Sequence, residues 1–183
     1  MRKIMALAAF GCLATASFAQ STDQILLGVT AGWYLPTGSA LRDAFGSQIF
    51  TIGFTPVATG RPSSGSITPS FNIIGASKDG SNFLLIPVTL GYEYHFGSDD
   101  ANATTVPYAR LEGGISYYNF SIDEGGPTNV EGNSRFGWVG AAELGISLNK
   151  TIKLNASYYL FEKESGIDFS GIQLGVTFGF IRL

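Results

Sequence analysis

The sequence predicts an all-β protein, an eight-stranded antiparallel up-and-down transmembrane β-barrel. Three observations predict it. Eight segments alternate apolar residues with small or polar ones at period two, the spacing that sends successive side chains to opposite faces of a strand. The face opposite the apolar one is rich in glycine and poor in charge, whereas a soluble sheet would carry charged groups towards water there. No segment after the N-terminal fifteen or so residues is an unbroken apolar run of the ~20 residues that a spanning helix needs, so any insertion into a membrane is through strands.

The strands follow in order. Residues 24–35 place Ile25, Leu27, Val29, Ala31, Trp33 and Leu35 on one face, and Pro36 to Gly38 end the run. Residues 39–46 read as one helical turn capped by Ser39. The second strand, 48–55, alternates Phe50, Ile52 and Phe54 against Thr51 and Gly53, and a Gly/Ser/Pro connection follows. The third, 67–76, is interrupted by Pro69 and closes in a tight turn at 77–80. The fourth, 82–96, has the clearest alternation, with Leu84, Ile86, Val88, Leu90, Tyr92, Tyr94 and Phe96 on one face. The fifth is 106–120, and an acidic, Gly-rich loop over 121–134 leads to the sixth at 135–148. A short turn at Asn149 and Lys150 precedes the seventh strand, 151–161, and a loop over 162–168 leads to the last, 171–183. Eight antiparallel strands of ~9 or more residues meet the demand that lipid places on a wall, since closure leaves no unpaired edge.

The N-terminus reads as an export signal. Arg2 and Lys3 precede an apolar stretch from Ile4 to Leu13, and Ser17-Phe18-Ala19 forms a small-x-small cleavage site, so residues 1–19 are expected to be removed, leaving 20–183 as the barrel domain. Cleavage removes the one cysteine, Cys12, and the barrel then has to hold without a disulfide. It also removes 2 of the 11 basic residues, leaving 9 against 14 acidic ones. That balance argues against nucleic acid as a partner.

The residues 86–94 (Ile-Pro-Val-Thr-Leu-Gly-Tyr-Glu-Tyr), 106–118 (Val-Pro-Tyr-Ala-Arg-Leu-Glu-Gly-Gly-Ile-Ser-Tyr-Tyr) and the last strand resemble the small eight-stranded outer-membrane β-barrel family, the group that includes the barrels of OmpA and OmpX. Gln173, Gly175, Phe178 and Phe180 are similar to the assembly signal of such barrels, which reads polar, any, glycine, any, any, hydrophobic, any, hydrophobic. The resemblance implies a cell outer-membrane location, outer-membrane lipid as the surroundings, and the barrel-assembly machinery and periplasmic chaperones as partners during biogenesis. A peptidoglycan-binding domain after the barrel is not expected.

With the N-terminus in the periplasm, the lumen-facing ionisable residues are Glu93, His95, Arg110, Glu112, Glu143 and Lys153, all at one depth in the periplasmic half. Symmetric loops would set Glu93 across from Arg110, His95 across from Tyr108 and Glu112 across from Glu143. An eight-stranded lumen has room for side chains or one small ligand, so this polar cluster is expected to plug it. A narrow channel for small solutes is the alternative, and a lipid-modifying enzyme a more distant one. Catalysis is not expected, because the one histidine, His95, lies at the periplasmic end. No cofactor or metal site is expected either, since one His without Cys offers no ligand spacing and the acidic pairs Asp99-Asp100 and Asp123-Glu124 read as solvated loop charges. The function so read is a structural or surface-interaction role carried by the outer loops.

Overall fold

A computed structural model describes residues 25–58, 65–97, 103–122, 130–149 and 151–182. The expected export signal lies outside the described residues, as do Lys150 and both acidic pairs. Eight strands close into a barrel, each paired with its sequence neighbour and the first with the last. They are β1 (Ile25–Pro36), β2 (Ile49–Ala58), β3 (Ser66–Lys78), β4 (Ser81–His95), β5 (Thr105–Ile122), β6 (Val130–Leu148), β7 (Ile152–Phe161) and β8 (Gly171–Arg182). One helix, α1 (Ser39–Phe45), lies in the first outer connection. Ser39 is its first helical residue and not its cap; Gly38 takes the cap position, without a side-chain bond.

Strand boundaries differ most where turn residues misled the reading. β5 and β6 run on into the Gly-rich stretch to Ile122 and from Val130, with a bulge between Tyr118 and Phe120. β3 continues through Pro69 and pairs with β4 down to the two-residue hairpin at Asp79 and Gly80, both with positive φ (48° and 84°), the geometry of a type I′ turn.

The register gives the dimensions of the wall. From Gly32, rungs lead one way through Thr51 and Ile74 to Leu85, and the other way through Gly175, Asn155, Gly145 and Tyr108 to His95. The two paths reach β4 ten residues apart (95 − 85), which is the shear of the barrel. Eight strands with such a stagger tilt steeply and leave an interior that side chains fill. The outer surface carries the large apolar residues. Trp33, Phe136, Trp138 and Tyr158 are exposed towards the ends of the strands nearer α1, and Phe54, Tyr92, Tyr94, Phe96 and Phe178 are exposed towards the opposite ends. These are two aromatic girdles, with Ile52, Leu111, Ile115, Leu144, Leu154 and Leu174 exposed between them. Apolar exposure on that scale is stable against lipid.

Candidate functional site in the barrel lumen

The lumen is filled in two layers. In the layer away from α1 the structure brings together all six ionisable residues, Glu93, His95, Arg110, Glu112, Glu143 and Lys153, each buried. Glu93 stands across from Arg110 and His95 across from Tyr108, as symmetric loops require. Glu112 does not face Glu143. It faces Ala141, and Glu143 faces Arg110, because the lengthened β5–β6 hairpin with its bulge moves the pairing by two residues.

The shift decides who pairs with whom. Arg110 Nη2 lies 2.7 Å from Glu112 Oε1 and 3.0 Å from Glu143 Oε2, whereas its Nη1 is 3.7 Å from Glu93 Oε2. The contact with Glu143 is a hydrogen bond; that with Glu112 is an ion pair off the N–H direction, and Glu112 Oε1 has no hydrogen-bond partner. Glu93 is held instead by Lys153 Nζ at 2.6 Å and His95 Nε2 at 2.9 Å, both on Oε1. Lys153 reaches across the lumen from β7 and passes over the Tyr108 ring at 4.8 Å. Neutral groups supply part of the satisfaction that buried charges demand. Glu143 accepts from Tyr108 Oη (2.8 Å), Ser157 Oγ (2.7 Å) and Asn155 Nδ2 (3.2 Å). Glu112 Oε2 accepts from Ser70 Oγ (2.6 Å) and from Thr89.

Two glycines make these reaches possible. A Cβ on Gly91 would stand 2.8 Å from Glu112 Cγ, so the bare backbone there lets Glu112 cross β4 to Ser70 on β3. A Cβ on Gly145 would meet the Tyr108 ring at 2.6 Å, so that ring lies flat over β6 and its hydroxyl reaches Glu143.

The second layer, nearer α1, is apolar, and the sequence reading missed it. Tyr34, Ile49, Ile74, Phe83, Leu85, Tyr118, Phe120, Val139 and Phe161 point inward and pack with Leu41 and Phe45 of α1 and with Ile167 and Phe169 of the last outer connection. Phe169 is the hub, its ring centroid 5.1 Å from Phe120, 5.6 Å from Tyr118 and 6.5 Å from Phe83. The signal was present: Phe83 and Leu85 share the face of β4 that holds Glu93 and His95. Between the layers Asn72 donates to Tyr159 Oη (2.9 Å), and Gln173 donates to Thr51 (3.0 Å).

The two outer connections are sewn together above the apolar layer. The Thr37 amide and hydroxyl both donate to Ser170 O, at 2.9 and 2.8 Å, and Tyr34 donates to Phe169 O. Arg135 on β6 pairs with Glu162 at 2.8 Å and Glu164 at 2.6 Å, which fastens the start of the last connection to the wall. Asp168 closes that connection by accepting the Ser170 amide at 2.9 Å. Burial raises its carboxyl pKa, but the hydrogen bonds from Ser170 and the nearby Lys163 outweigh burial and hold it below the ordinary value.

The residues of the terminal-strand signal divide between the faces. Gln173 and Gly175 face the lumen side, and Phe178 is exposed on the outer wall. The Phe180 side chain lies outside the described residues.

Closure of eight antiparallel strands into a barrel agrees with what comparison finds. The model of the outer membrane protein beta-barrel domain matches residues 5–180. This chain belongs to the outer membrane protein beta-barrel family. Its fold is similar to that of the Neisserial surface protein A (NspA), with 13% identity, a TM-score of 0.54, and 87% of this chain covering 98% of that one. It is likewise similar to the N-terminal β-barrel domain of Pseudomonas aeruginosa OprF, with 15% identity, a TM-score of 0.54, and 87% of this chain covering all of that one. No curated protein matches the sequence. Small eight-stranded outer-membrane barrels are thus the group to which the chain belongs, and the bacterial outer membrane is where its family resides.

Proposed function

We propose that this outer-membrane barrel is closed along its axis and acts through its outer surface, as a structural or surface-interaction protein and neither as a free conduit nor as an enzyme. The observation that carries the reading is the stacking of two unlike plugs in one lumen. A polar layer alone could rearrange around a passing ion, because charges exchange partners with water. The apolar layer above it offers an ion no partner at all, and burying an unpaired charge among Phe83, Phe120, Phe161 and Phe169 is costly. The lid of α1 and the last connection would have to leave before a solute could pass. That weighs against the narrow channel.

Planar-bilayer recording tests the closure. The intact protein is expected to give no stable unitary steps, and reproducible steps of one amplitude would overturn the closed reading. Binding to isolated cell-surface components, lost on exchanging the outer connections for short turns, tests the surface role.

We also propose that residues 1–19 are a cleaved export signal, and that Gln173, Gly175, Phe178 and Phe180 are read by the barrel-assembly machinery after periplasmic chaperones deliver the chain. Pulse-chase export separates these steps: Phe180→Ser is expected to leave processed but unfolded protein in the periplasm.

A further inference from the structure

The wall has a weak seam between β2 and β3. β2 and β3 keep register only from Thr51↔Ile74 to Phe54↔Phe71. Neither strand ends there. β2 continues beside β1 to Ala58, paired with Ile25, and β3 continues beside β4 to Ser66, paired with Glu93. Carried on, the register would set Pro56 against Pro69, and neither residue has an amide hydrogen to give a rung. Below the exposed contact of Phe54 with Phe71, whose centroids are 6.2 Å apart, the two strands therefore run side by side without a ladder. A membrane wall normally leaves no such edge towards lipid.

Behind this seam lies the polar layer, on its least satisfied side. The inward hydroxyls of Ser66 and Thr68 are buried without hydrogen-bond partners, and so are Glu93 Oε2, Glu112 Oε1, and Arg110 Nε and Nη1. They are contiguous, since Ser66 stands across from Glu93, Thr68 across from Gly91, and Glu112 passes over Gly91. Three carboxylates in the layer face the two permanent cations Arg110 and Lys153; His95 adds a third only when protonated. The side next to the seam thus presents two unpartnered hydroxyls beside carboxylates that Arg110 pairs with but does not fully satisfy, in a layer whose carboxylates outnumber its permanent cations by one.

We infer that the β2–β3 seam is a lateral portal, through which the ammonium head of a single-chain amphiphile passes from the surrounding lipid to Ser66, Thr68, Glu93 and Glu112. The inference rests on the axial closure proposed above. With the α1 end sealed by the apolar layer, the unzipped stretch is the way from the surrounding lipid to the polar layer. The alkyl chain stays in lipid beside Ile67 and Phe54, which are exposed on the outer wall. The head exchanges its water for the unpartnered oxygens inside.

The test uses protein reconstituted in vesicles, with Cys12 replaced by serine and a single cysteine introduced by Thr68→Cys or, as the sealed control on the same pair of strands, by Thr51→Cys. Both positions face inward and are buried. Dodecylmaleimide, which partitions into lipid, is expected to modify the Thr68→Cys protein at least tenfold faster than the Thr51→Cys protein. An impermeant sulfonated thiol reagent is expected to modify neither. Submicellar dodecylammonium is expected to slow modification at position 68 several-fold, and dodecanoate to leave it unchanged. Equal rates at the two positions with dodecylmaleimide, and no reaction with the impermeant reagent, would sink the portal while leaving axial closure intact. Modification at 68 by the impermeant reagent would sink the closure and the portal with it. Protection by both amphiphiles, or by neither, would overturn the choice of an ammonium head. Should the Thr68→Cys protein fail to show the gel shift of a folded barrel, hydrogen exchange on the unaltered protein decides. The amide of Ile67, which lies on the same side of β3 as Pro69, exchanges faster than that of Ile52, on the side of β2 that faces β3, if the seam opens, and at the same rate if it does not.

Discussion

The phenol of Tyr34 donates to the carbonyl oxygen of Phe169, joining the outer end of the first strand to the last outer connection across 135 positions of sequence. Both residues are fully buried, so the bond lies inside the apolar layer. It ties the residue on which that layer is centred to the wall. Thr37 and Ser170 repeat the link one step further out, and α1 is carried on the same stretch of chain. The lid is therefore one unit.

Tyr34→Phe tests that unit with little change in packing. The ring stays, the donor goes, and the buried carbonyl of Phe169 loses its partner. Leaving a buried acceptor unsatisfied costs about 1–3 kcal/mol. Urea unfolding in lipid or detergent is expected to show a loss of that size, with faster protease cleavage within 162–168. An unchanged midpoint would remove the bond from the account of the lid.

The polar layer predicts an order of couplings. Arg110→Ala leaves Glu112 and Glu143 without their cation and is expected to cost about 3–5 kcal/mol. In double-mutant cycles, Glu143→Gln should couple to Arg110→Ala more strongly than Glu93→Gln does, since the distances are 3.0 and 3.7 Å. Glu93→Gln should couple instead to Lys153→Met, across a contact of 2.6 Å. The reverse order in unfolding free energies would mean that the register differs from the one described.

Two glycines at one rung separate steric need from strand identity. A Cβ on Gly32 would run into the backbone of Leu174 and Gly175, which cannot move without breaking the β1–β8 ladder. A Cβ on Gly175 would meet Asn155 Oδ1 at 2.5 Å, the end of a side chain that can swing away. Gly32→Ala is expected to prevent folding or to cost several times more than Gly175→Ala, whose loss should shrink in the presence of Asn155→Ser. Equal yields of folded barrel from the two single variants would contradict this. Gly175→Asp by itself is a poor probe of the assembly signal, because it also crowds Asn155.

Asp168 makes the lid sensitive to acid. Its carboxyl is held below the ordinary value in the folded state, so its contribution is complete above the usual carboxylate range and is lost as pH falls through the lowered value. The group is about one third exposed, and solvent screening keeps the effect modest. Proteolysis of the last connection is expected to be flat from neutral pH down to the carboxylate range and to accelerate below it. Asp168→Asn should remove that acid-dependent step; its persistence would assign it to Glu162 or Glu164.

The sequence was most legible where one face of an element meets one kind of surroundings. Lipid outside imposes period two on every strand, and the faces assigned to Leu84 through Tyr94, Ala109 through Tyr117 and Ile172 through Phe178 are those that face outward. The six ionisable residues could be placed in the lumen for the same reason, because a charge on the lipid side of the wall is expensive. Glycines and Pro69 misled the boundaries, since their local preference for turns was overridden by neighbours that supplied rungs on the other side.

By itself, then, the sequence determined a closed eight-stranded wall, its inside and outside, and the depth of its charges. Only the tertiary structure decided that Arg110 pairs with Glu143, that Phe169 and α1 return into the lumen, and that β2 and β3 part below Phe54. The difference is physical. Facing is written in the alternation of neighbouring residues, each of which responds to lipid or lumen independently. Register, plugs and seams depend on bulges, on loop insertion, and on prolines that meet across strands, and those are properties of pairs of segments with no periodic trace in either one alone.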